Sequence, residues 1–288
     1  MIVDIHTHVF PDAVADKALT KMRGNSHVRT FVDGTRGQLA ASAREAGIDR
    51  SVVLPVATSA RQVAHINDFA LKICEEQEES GVQSFGAAHP EDPDWEKELK
   101  RIAAAGIRGI KIHPPYQGMD IDAPAYLRIL DKAGELGLIV VTHAGYDVGL
   151  PGAEESTVRK IASALRQVGP VTVVCAHMGG WRQWEEVREL LAGTRVMLDT
   201  SFSLGSMTPL GDGYAWTEET LRLLPPKEFC GMVRLFGAER ILFGTDSPWS
   251  DRKREVEAIR ALPLTDREKS LILGENAARL LSRKSAPV

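Results

Sequence analysis

Short apolar segments recur along the chain, and within them hydrophobic residues seldom alternate with polar ones. Many of these segments are rich in β-branched residues and are bounded by glycine or proline. Strands that are covered on both faces, as in a parallel sheet, have this pattern. The pattern predicts eight strands, at residues 2–9, 51–57, 82–89, 106–113, 137–145, 170–177, 194–201 and 240–247.

Helical periodicity fills the gaps between these segments. Val158, Ile161 and Leu165 fall on one face of a helix, and residues 95–102 repeat the spacing. The closing segment, residues 264–283, also predicts a helix, with an interruption near Gly274. Eight strands alternating with helices predict one (β/α)8 TIM barrel over residues 1–288, with its active site at the C-terminal ends of the strands.

Two segments depart from the even spacing of strands and helices. Residues 24–37 and 202–239 are loop insertions that follow C-terminal strand ends, where barrel active sites lie. Residues 203–216 are rich in Gly, Ser and Pro and predict a loop. Both insertions are candidate lids, and the alternative is that they are tolerated surface additions.

Composition narrows the function and the location. The chain of 288 residues has 43% hydrophobic and 26% charged residues and a formal charge of −4, typical of a soluble globular protein with no nucleic-acid partner. Three features predict a cytoplasmic protein without signal peptide or membrane partner. They are the three cysteines, the lack of any apolar run of about 20 residues and the strand that begins at residue 2. A small-molecule substrate is the expected partner, and a homodimer stays open.

The first predicted strand carries polar side chains that a buried strand does not need. In "MIVDIHTHVF", alternation places Asp4, His6 and His8 on one face. Two imidazoles in a core are costly unless a partner such as a metal ion satisfies them. Asp4 is expected behind the two histidines, and the alternative is a purely structural carboxylate.

Candidate ligands also stand at the ends of other strands. Since the C-terminal ends of barrel strands meet at one mouth, these side chains are expected to converge. Three imidazoles and one carboxylate suit a divalent metal such as Zn²⁺. The side chains at the mouth are His6, His8, Lys111, His113, His143, His177 and Asp246.

Five short segments together resemble the metal-dependent amidohydrolase superfamily. They are "VDIHTH", "GIKIHP", "VTHAG", "CAHMGG" and "LFGTDSPW", and the similarity extends over essentially the whole chain. Within that superfamily the chain is most similar to the branch of TIM-barrel hydrolases that includes aminocarboxymuconate semialdehyde decarboxylase. The resemblance implies one Zn²⁺ per chain, bound by His6, His8, His143 and Asp246. It further implies that His177 contacts the substrate or the bound water, with a fifth ligand as the alternative.

Lys111 has two interpretations. In binuclear members of the superfamily a lysine on the fourth strand is carboxylated and bridges two metals. "GIKIHP" is more similar to the single-metal branch, where Lys111 would present a positive charge to an anionic substrate beside His113.

Other side chains are weaker candidates for the substrate pocket. Aromatic residues that follow strand ends or lie in the insertions are expected to line a pocket for a flat substrate: Tyr116, Trp181, Tyr214, Trp216 and Trp249. Arg29 and Arg36 in the first insertion are candidates to clamp a carboxylate. Asp199 is expected to order the loop that follows it.

Three functions remain after this reasoning. The leading prediction is hydrolysis of a small-molecule amide, ester or lactone by metal-activated water, with Asp246 managing the proton and His177 stabilising the oxyanion. The alternative is non-oxidative decarboxylation of a small unsaturated or aromatic acid, a carbon–carbon lyase reaction with the same ligands. The third is a barrel that binds metal without catalysis.

Overall fold

The computed structural model describes residues 1–282, so Arg283 of the predicted closing helix lies outside the described residues. Every predicted strand segment contains a strand. The third contains two, which are separated by Phe85. The strands are β1 Val3–Thr7, β2 Arg50–Val53, β3 Val82–Ser84, β4 Gly86–Ala87, β5 Gly109–Ile112, β6 Ile139–Thr142, β7 Thr172–Cys175, β8 Met197–Asp199 and β9 Ile241–Leu242.

Parallel pairing follows chain order from β1 to β3 and from β4 to β9. Phe85, between β3 and β4, continues the ladder by donating its N–H to the carbonyl of Val53 at 2.9 Å. At the other end, the Ile5 N–H donates to Phe243 O at 2.9 Å and the His8 N–H to Ser247 O at 2.7 Å. The sheet therefore closes on itself, and the (β/α)8 prediction is confirmed.

A continuous apolar core fills the centre of the barrel. The core also includes two side chains of the last helix, Ala277 and Leu280. Side chains therefore fill the barrel interior, as they do in other barrels of this kind. Its buried members are Val3, Ile5, Val52, Leu54, Phe85, Ile139, Val141, Val174, Leu242, Ala277 and Leu280.

Helices alternate with the strands. The periodic face predicted around residue 158 is present, with Val158 and Ile161 buried. The helices are α1 Asp12–Ser26, α2 Arg36–Ala46, α3 Val63–Glu75, α4 Gln77–Ser80, α5 Trp95–Ala104, α6 Pro114–Gln117, α7 Pro124–Glu135, α8 Val158–Gln167, α9 Trp184–Leu190, α10 Glu218–Leu221, α11 Pro226–Phe236, α12 Arg252–Ala261, α13 Asp266–Ser270 and α14 Asn276–Ser282.

The predicted interruption near Gly274 is a π-helical turn, Leu271–Glu275, between α13 and α14. A Cβ atom at Gly274 would lie 2.3 Å from the carbonyl oxygen of Met1. Glycine is therefore required here because the start of the chain passes directly against the helix.

A bulge in β1 corrects the prediction for Asp4. The register of β1 against β2 shifts between Asp4 and Thr7. The Asp4 carboxylate accepts the backbone N–H groups of His6 at 3.2 Å and Thr245 at 3.0 Å, and it pairs with Arg252 of α12 at 3.0 Å. Strict alternation therefore fails at this point. Asp4 is a structural carboxylate that stabilises the bulge, and only the two histidines reach the mouth.

The two insertions contain more helix than predicted. Residues 24–26 belong to α1, and the range 202–239 includes α10 and α11. Residues 203–216 contain neither a helix nor one of the named strands, as predicted.

The insertions also pair with each other, which the sequence did not reveal. Arg29 N donates to Thr208 O, and Leu210 N to His27 O, both at 2.9 Å. The His27 imidazole lies 2.7 Å from the Asp212 carboxylate and stacks on the Tyr214 ring at 4.0 Å. We call residues 27–31 and 206–216 together the clasp.

Among residues 1–282, none of the helices combines the length and the apolar character that crossing a bilayer requires. The three cysteines, Cys74, Cys175 and Cys230, are free thiols.

Candidate metal centre

The predicted site residues surround a cavity of about 720 Å³ at the C-terminal ends of the strands. Ten of them line it: His6, His8, Lys111, His113, Tyr116, His143, His177, Trp181, Asp246 and Trp249. Arg36 does not. It begins α2 and pairs instead with Glu76 at 2.6 Å, so the structure does not bring this predicted substrate clamp to the cavity.

Three of the four predicted ligands converge closely. His8 Nε2 lies 3.2 Å from His6 Nε2 and 3.1 Å from Asp246 Oδ1, and His6 Nε2 lies 3.5 Å from the same carboxylate oxygen. Donor atoms bound to one metal at about 2.0–2.2 Å stand this far apart. The group therefore has the spacing of a metal site.

Hydrogen bonds behind the two histidines orient them for metal binding. His6 Nδ1 lies 2.8 Å from Asp199 Oδ2, and His8 Nδ1 lies 2.8 Å from Leu54 O. Both oxygens only accept, so each Nδ1 carries the proton and each Nε2 presents a lone pair to the centre.

His143 and His177 extend the group of imidazoles. His143 Nδ1 lies 3.2 Å from His177 Nε2, and the His177 ring centre lies 5.4 Å from that of His6. His143 Nε2 donates to Tyr146 O at 3.1 Å, and His177 Nδ1 to Ser201 O at 3.1 Å. Each ring therefore turns an unprotonated nitrogen toward the other. The structure places the predicted ligand His143 beside His177.

Asp147 was missed by the sequence reasoning. Its carboxylate lies 3.3 Å from His113 Nε2 and 3.7 Å from His143 Nε2. The two imidazoles stack at 4.2 Å with planes 20° apart. Lone pairs of stacked rings run nearly parallel and do not converge on one ion, so this second cluster is better suited to orienting His143. No sequence signal singled out Asp147, because it lies in the loop beyond its strand.

Asp199 has a larger role than predicted. It orders the following loop, as expected, by accepting the Ser201 N–H at 3.1 Å. The same carboxylate bonds His6 Nδ1 and accepts the His177 N–H at 3.0 Å. One buried carboxylate thus holds the His6 imidazole directly and the backbone N–H of His177, from a different strand. Its place at the end of β8 was the available signal.

Burial dominates the electrostatics of the centre. It lowers the pKa of three imidazoles, those of His6, His113 and His143. It also lowers the pKa of Lys111 to about 8, against the opposing carboxylates. The centre holds three carboxylates, those of Asp147, Asp199 and Asp246, and one ammonium group, that of Lys111. Their formal charges sum to −2, and the imidazoles around them are buried and neutral. A divalent cation would neutralise this charge, so the donor set and its charge fit such an ion.

Two of the predicted catalytic side chains sit on unusual backbone. His177 has φ of 60° and Asp246 has φ of 61°, in the left-handed region that non-glycine residues rarely adopt. Each such residue costs about 1–3 kcal/mol and persists only where its surroundings hold it.

The remaining aromatic candidates divide between two places. Tyr116, Trp181 and Trp249 line the cavity. Tyr214 and Trp216 belong to the clasp instead, where their rings meet and the Trp216 indole N–H donates to His27 O at 3.2 Å. Arg29 is exposed and lies outside the cavity wall.

Comparison with known proteins identifies a family whose model matches nearly the whole chain. The model of the amidohydrolase family matches residues 3–283. No curated protein matches the chain by sequence.

Several solved structures share the fold at low identity. The 5-carboxyvanillate decarboxylase of Novosphingobium aromaticivorans, with bound manganese, aligns over 98% of this chain and 97% of its own, with a TM-score of 0.69 at 15% identity. The 2,6-dihydroxybenzoate decarboxylase of Rhizobium aligns over 97% and 98%, with a TM-score of 0.65 at 15% identity. A 2-pyrone-4,6-dicarboxylic acid hydrolase of Pseudomonas putida, a tentative assignment, aligns over 97% of both chains, with a TM-score of 0.63 at 18% identity.

Proposed function

The chain belongs to the amidohydrolase family, and from this we propose that it is a divalent-metal-dependent carboxy-lyase acting on a small unsaturated or aromatic acid. The observation that carries the proposal is the convergence of His6, His8 and Asp246 in the cavity at the C-terminal ends of the barrel strands. The likeness to two decarboxylases favours carbon–carbon cleavage over the hydrolysis that the sequence placed first.

His6, His8, His143 and Asp246 are the proposed ligands. A divalent ion bound there would supply the positive charge that holds and polarises a carboxylate or carbonyl oxygen of the substrate. Manganese and zinc are both candidates, since the similar 5-carboxyvanillate decarboxylase holds manganese. Lys111, 3.4 Å from His6 Nε2 and buried, is the proposed cationic partner for the reacting acid.

Asp246 is the proposed proton carrier. Burial raises the pKa of its carboxyl, but the adjacent imidazoles of His8, His6 and His177 outweigh burial and hold the pKa below its usual value. The free group is therefore ionised near neutral pH and must accept a proton, from a hydroxyl group of the substrate or from water, before it gives one. When the bond to CO₂ breaks, its electron pair stays on the substrate carbon, and that carbon takes the proton.

His177 is proposed to contact the substrate. Its Nδ1 proton is committed to Ser201 O, so its Nε2 is the atom that faces the reacting group. Because this nitrogen carries no proton, His177 would stabilise charge that develops on a substrate oxygen only after it takes up a proton.

Hydrolysis is the second candidate. The same four ligands and the same carboxylate would serve it, with Asp246 accepting the proton of the attacking water. The similarity to a 2-pyrone-4,6-dicarboxylic acid hydrolase, itself a tentative assignment, supports this reading.

A substrate panel separates the two reactions. We expect manganese- or zinc-loaded protein to release CO₂ from at least one hydroxybenzoate, such as 2,6-dihydroxybenzoate, and chelated protein to release none. Acid production from 2-pyrone-4,6-dicarboxylate or simple lactones, with no CO₂ from any acid, would assign hydrolysis. Activity that survives complete metal removal would contradict the proposal.

A further inference from the structure

One wall of the cavity consists of apolar side chains that the reaction does not use. Val14, Ala18 and Met22 of α1 are spaced by four residues, so they share one helix face, and all three line the cavity. Phe10, Val56 and Ile66 also line it. We call these six residues the apolar arm.

The arm is not needed for the packing of α1. That helix is fixed by a different face, on which Ala15 and Leu19 are buried. Val14, in contrast, is 46% exposed. An apolar helix face that borders a cavity beside a reactive centre, with no protein partner to cover it, is suited to an apolar part of a ligand.

Charge in the cavity limits what else a substrate can carry. Among the described residues, no arginine lines the cavity. Lys111 is buried beside His6, where it would meet the reacting acid, and Lys21 is exposed at the rim of α1. Asp147 and Asp246 also line the cavity and repel anions. Polar side chains of the same cavity lining, Lys21, Asn25, Thr58 and Gln62, are exposed to solvent. A second carboxylate packed against the six apolar side chains would lose its hydration without gaining a partner among them.

We infer that the apolar arm holds the unreactive hydrocarbon part of the substrate, and that the substrate is a monocarboxylic acid with an alkyl or aryl body. This inference rests on the proposed function, since the reacting carboxylate is assigned to the metal centre and Lys111. It selects among acids and excludes dicarboxylates from the preferred substrates.

Binding of three related acids tests the inference without turnover. Manganese-loaded protein is titrated calorimetrically with benzoate, 4-propylbenzoate and terephthalate. Burial of each additional carbon strengthens binding roughly three- to fourfold, so 4-propylbenzoate should bind about 40-fold more tightly than benzoate. Terephthalate should bind more weakly than benzoate. Equal binding of benzoate and 4-propylbenzoate would overturn the inference. Tighter binding of terephthalate than of benzoate would also overturn it, and would indicate that Lys21 pairs with the second carboxylate.

Substitutions on α1 locate the effect. Ala18→Asp and Val14→Asp should remove most of the gain from the propyl group, so the ratio of 4-propylbenzoate affinity to benzoate affinity should fall at least tenfold in each variant. Ala13→Asp is the matched control because Ala13 is exposed on the same helix and does not line the cavity. If Ala18→Asp does not fold, the half-exposed Val14 carries the test. Equal loss in the control variant would contradict the location.

The reference experiments separate this inference from the function itself. If benzoate binds the loaded protein but the propyl group adds nothing, the inference alone fails. If none of the acids binds loaded protein better than chelated protein, the metal centre and the inference fail together.

Discussion

At the residue scale, Asp246 combines two roles that a single substitution separates. Its Oδ1 lies within 3.5 Å of both His6 Nε2 and His8 Nε2. In Asp246→Asn the amide oxygen could still contact a bound metal, but the amide neither takes up nor releases a proton near neutral pH. We expect turnover to fall at least 100-fold while metal occupancy falls only partly. Turnover and bound metal are measured together at saturating metal. A fully loaded variant with the parent's rate would remove Asp246 as proton carrier.

Asp199 is expected to act on the metal through His6. In Asp199→Asn, the oxygen that holds the proton on His6 Nδ1 is replaced by an amide group that donates, so the favoured tautomer is lost. Metal affinity should fall about 10- to 100-fold. Competition with a chromogenic chelator measures it, and Asp16→Asn on the exposed face of α1 is the control. An unchanged dissociation constant would show that Asp199 only orders its loop.

At the scale of elements, the clasp joins two segments that are far apart in the sequence. Tyr214, 52% exposed, stacks on His27 and meets the Trp216 ring at 4.9 Å. Tyr214→Ala should accelerate amide hydrogen exchange in residues 27–31 and 206–216 and raise KM severalfold, with metal affinity unchanged. Leu235→Ala, an exposed apolar side chain on α11, is the control. Exchange that stays slow in the Tyr214 variant would show that the backbone bonds alone hold the clasp.

At the scale of the whole molecule, Glu255 of α12 couples stability to pH. Burial raises the pKa of this carboxyl to about 8; the charge of Arg254 opposes the shift, and the nearby Asp4 and Asp251 add to it. Since the folded state then holds a proton that the unfolded state releases above pH of about 4.3, stability should fall as pH rises from about 4.3 to 8. Glu255→Gln stays neutral throughout this window.

The variant should therefore gain stability relative to the parent as the pH rises, by at least about 1 kcal/mol between pH 5 and 8. Urea unfolding at both pH values measures the difference. Glu257→Gln, exposed on the same helix, should show no such trend. A difference between parent and Glu255→Gln that is equal at pH 5 and pH 8 would contradict the assignment.

The sequence by itself determined the barrel and the location of its centre. Buried parallel strands have a local signature, and barrel geometry brings their C-terminal ends to one mouth. The predicted strand-end residues, from His6 to Asp246, therefore all line one cavity. Neither step requires knowledge of distant contacts, so both could be predicted from residue type and spacing.

Only the tertiary structure decided which partner each polar group meets. Asp199 bonds a histidine 193 positions away, the bulge at Asp4 depends on Arg252, and Arg36 turns to Glu76. The clasp and the apolar arm likewise join segments from different parts of the chain. Hydrogen-bond direction and cavity shape depend on the packing of whole elements, and a one-residue shift in strand register redirects a side chain without changing the local sequence pattern.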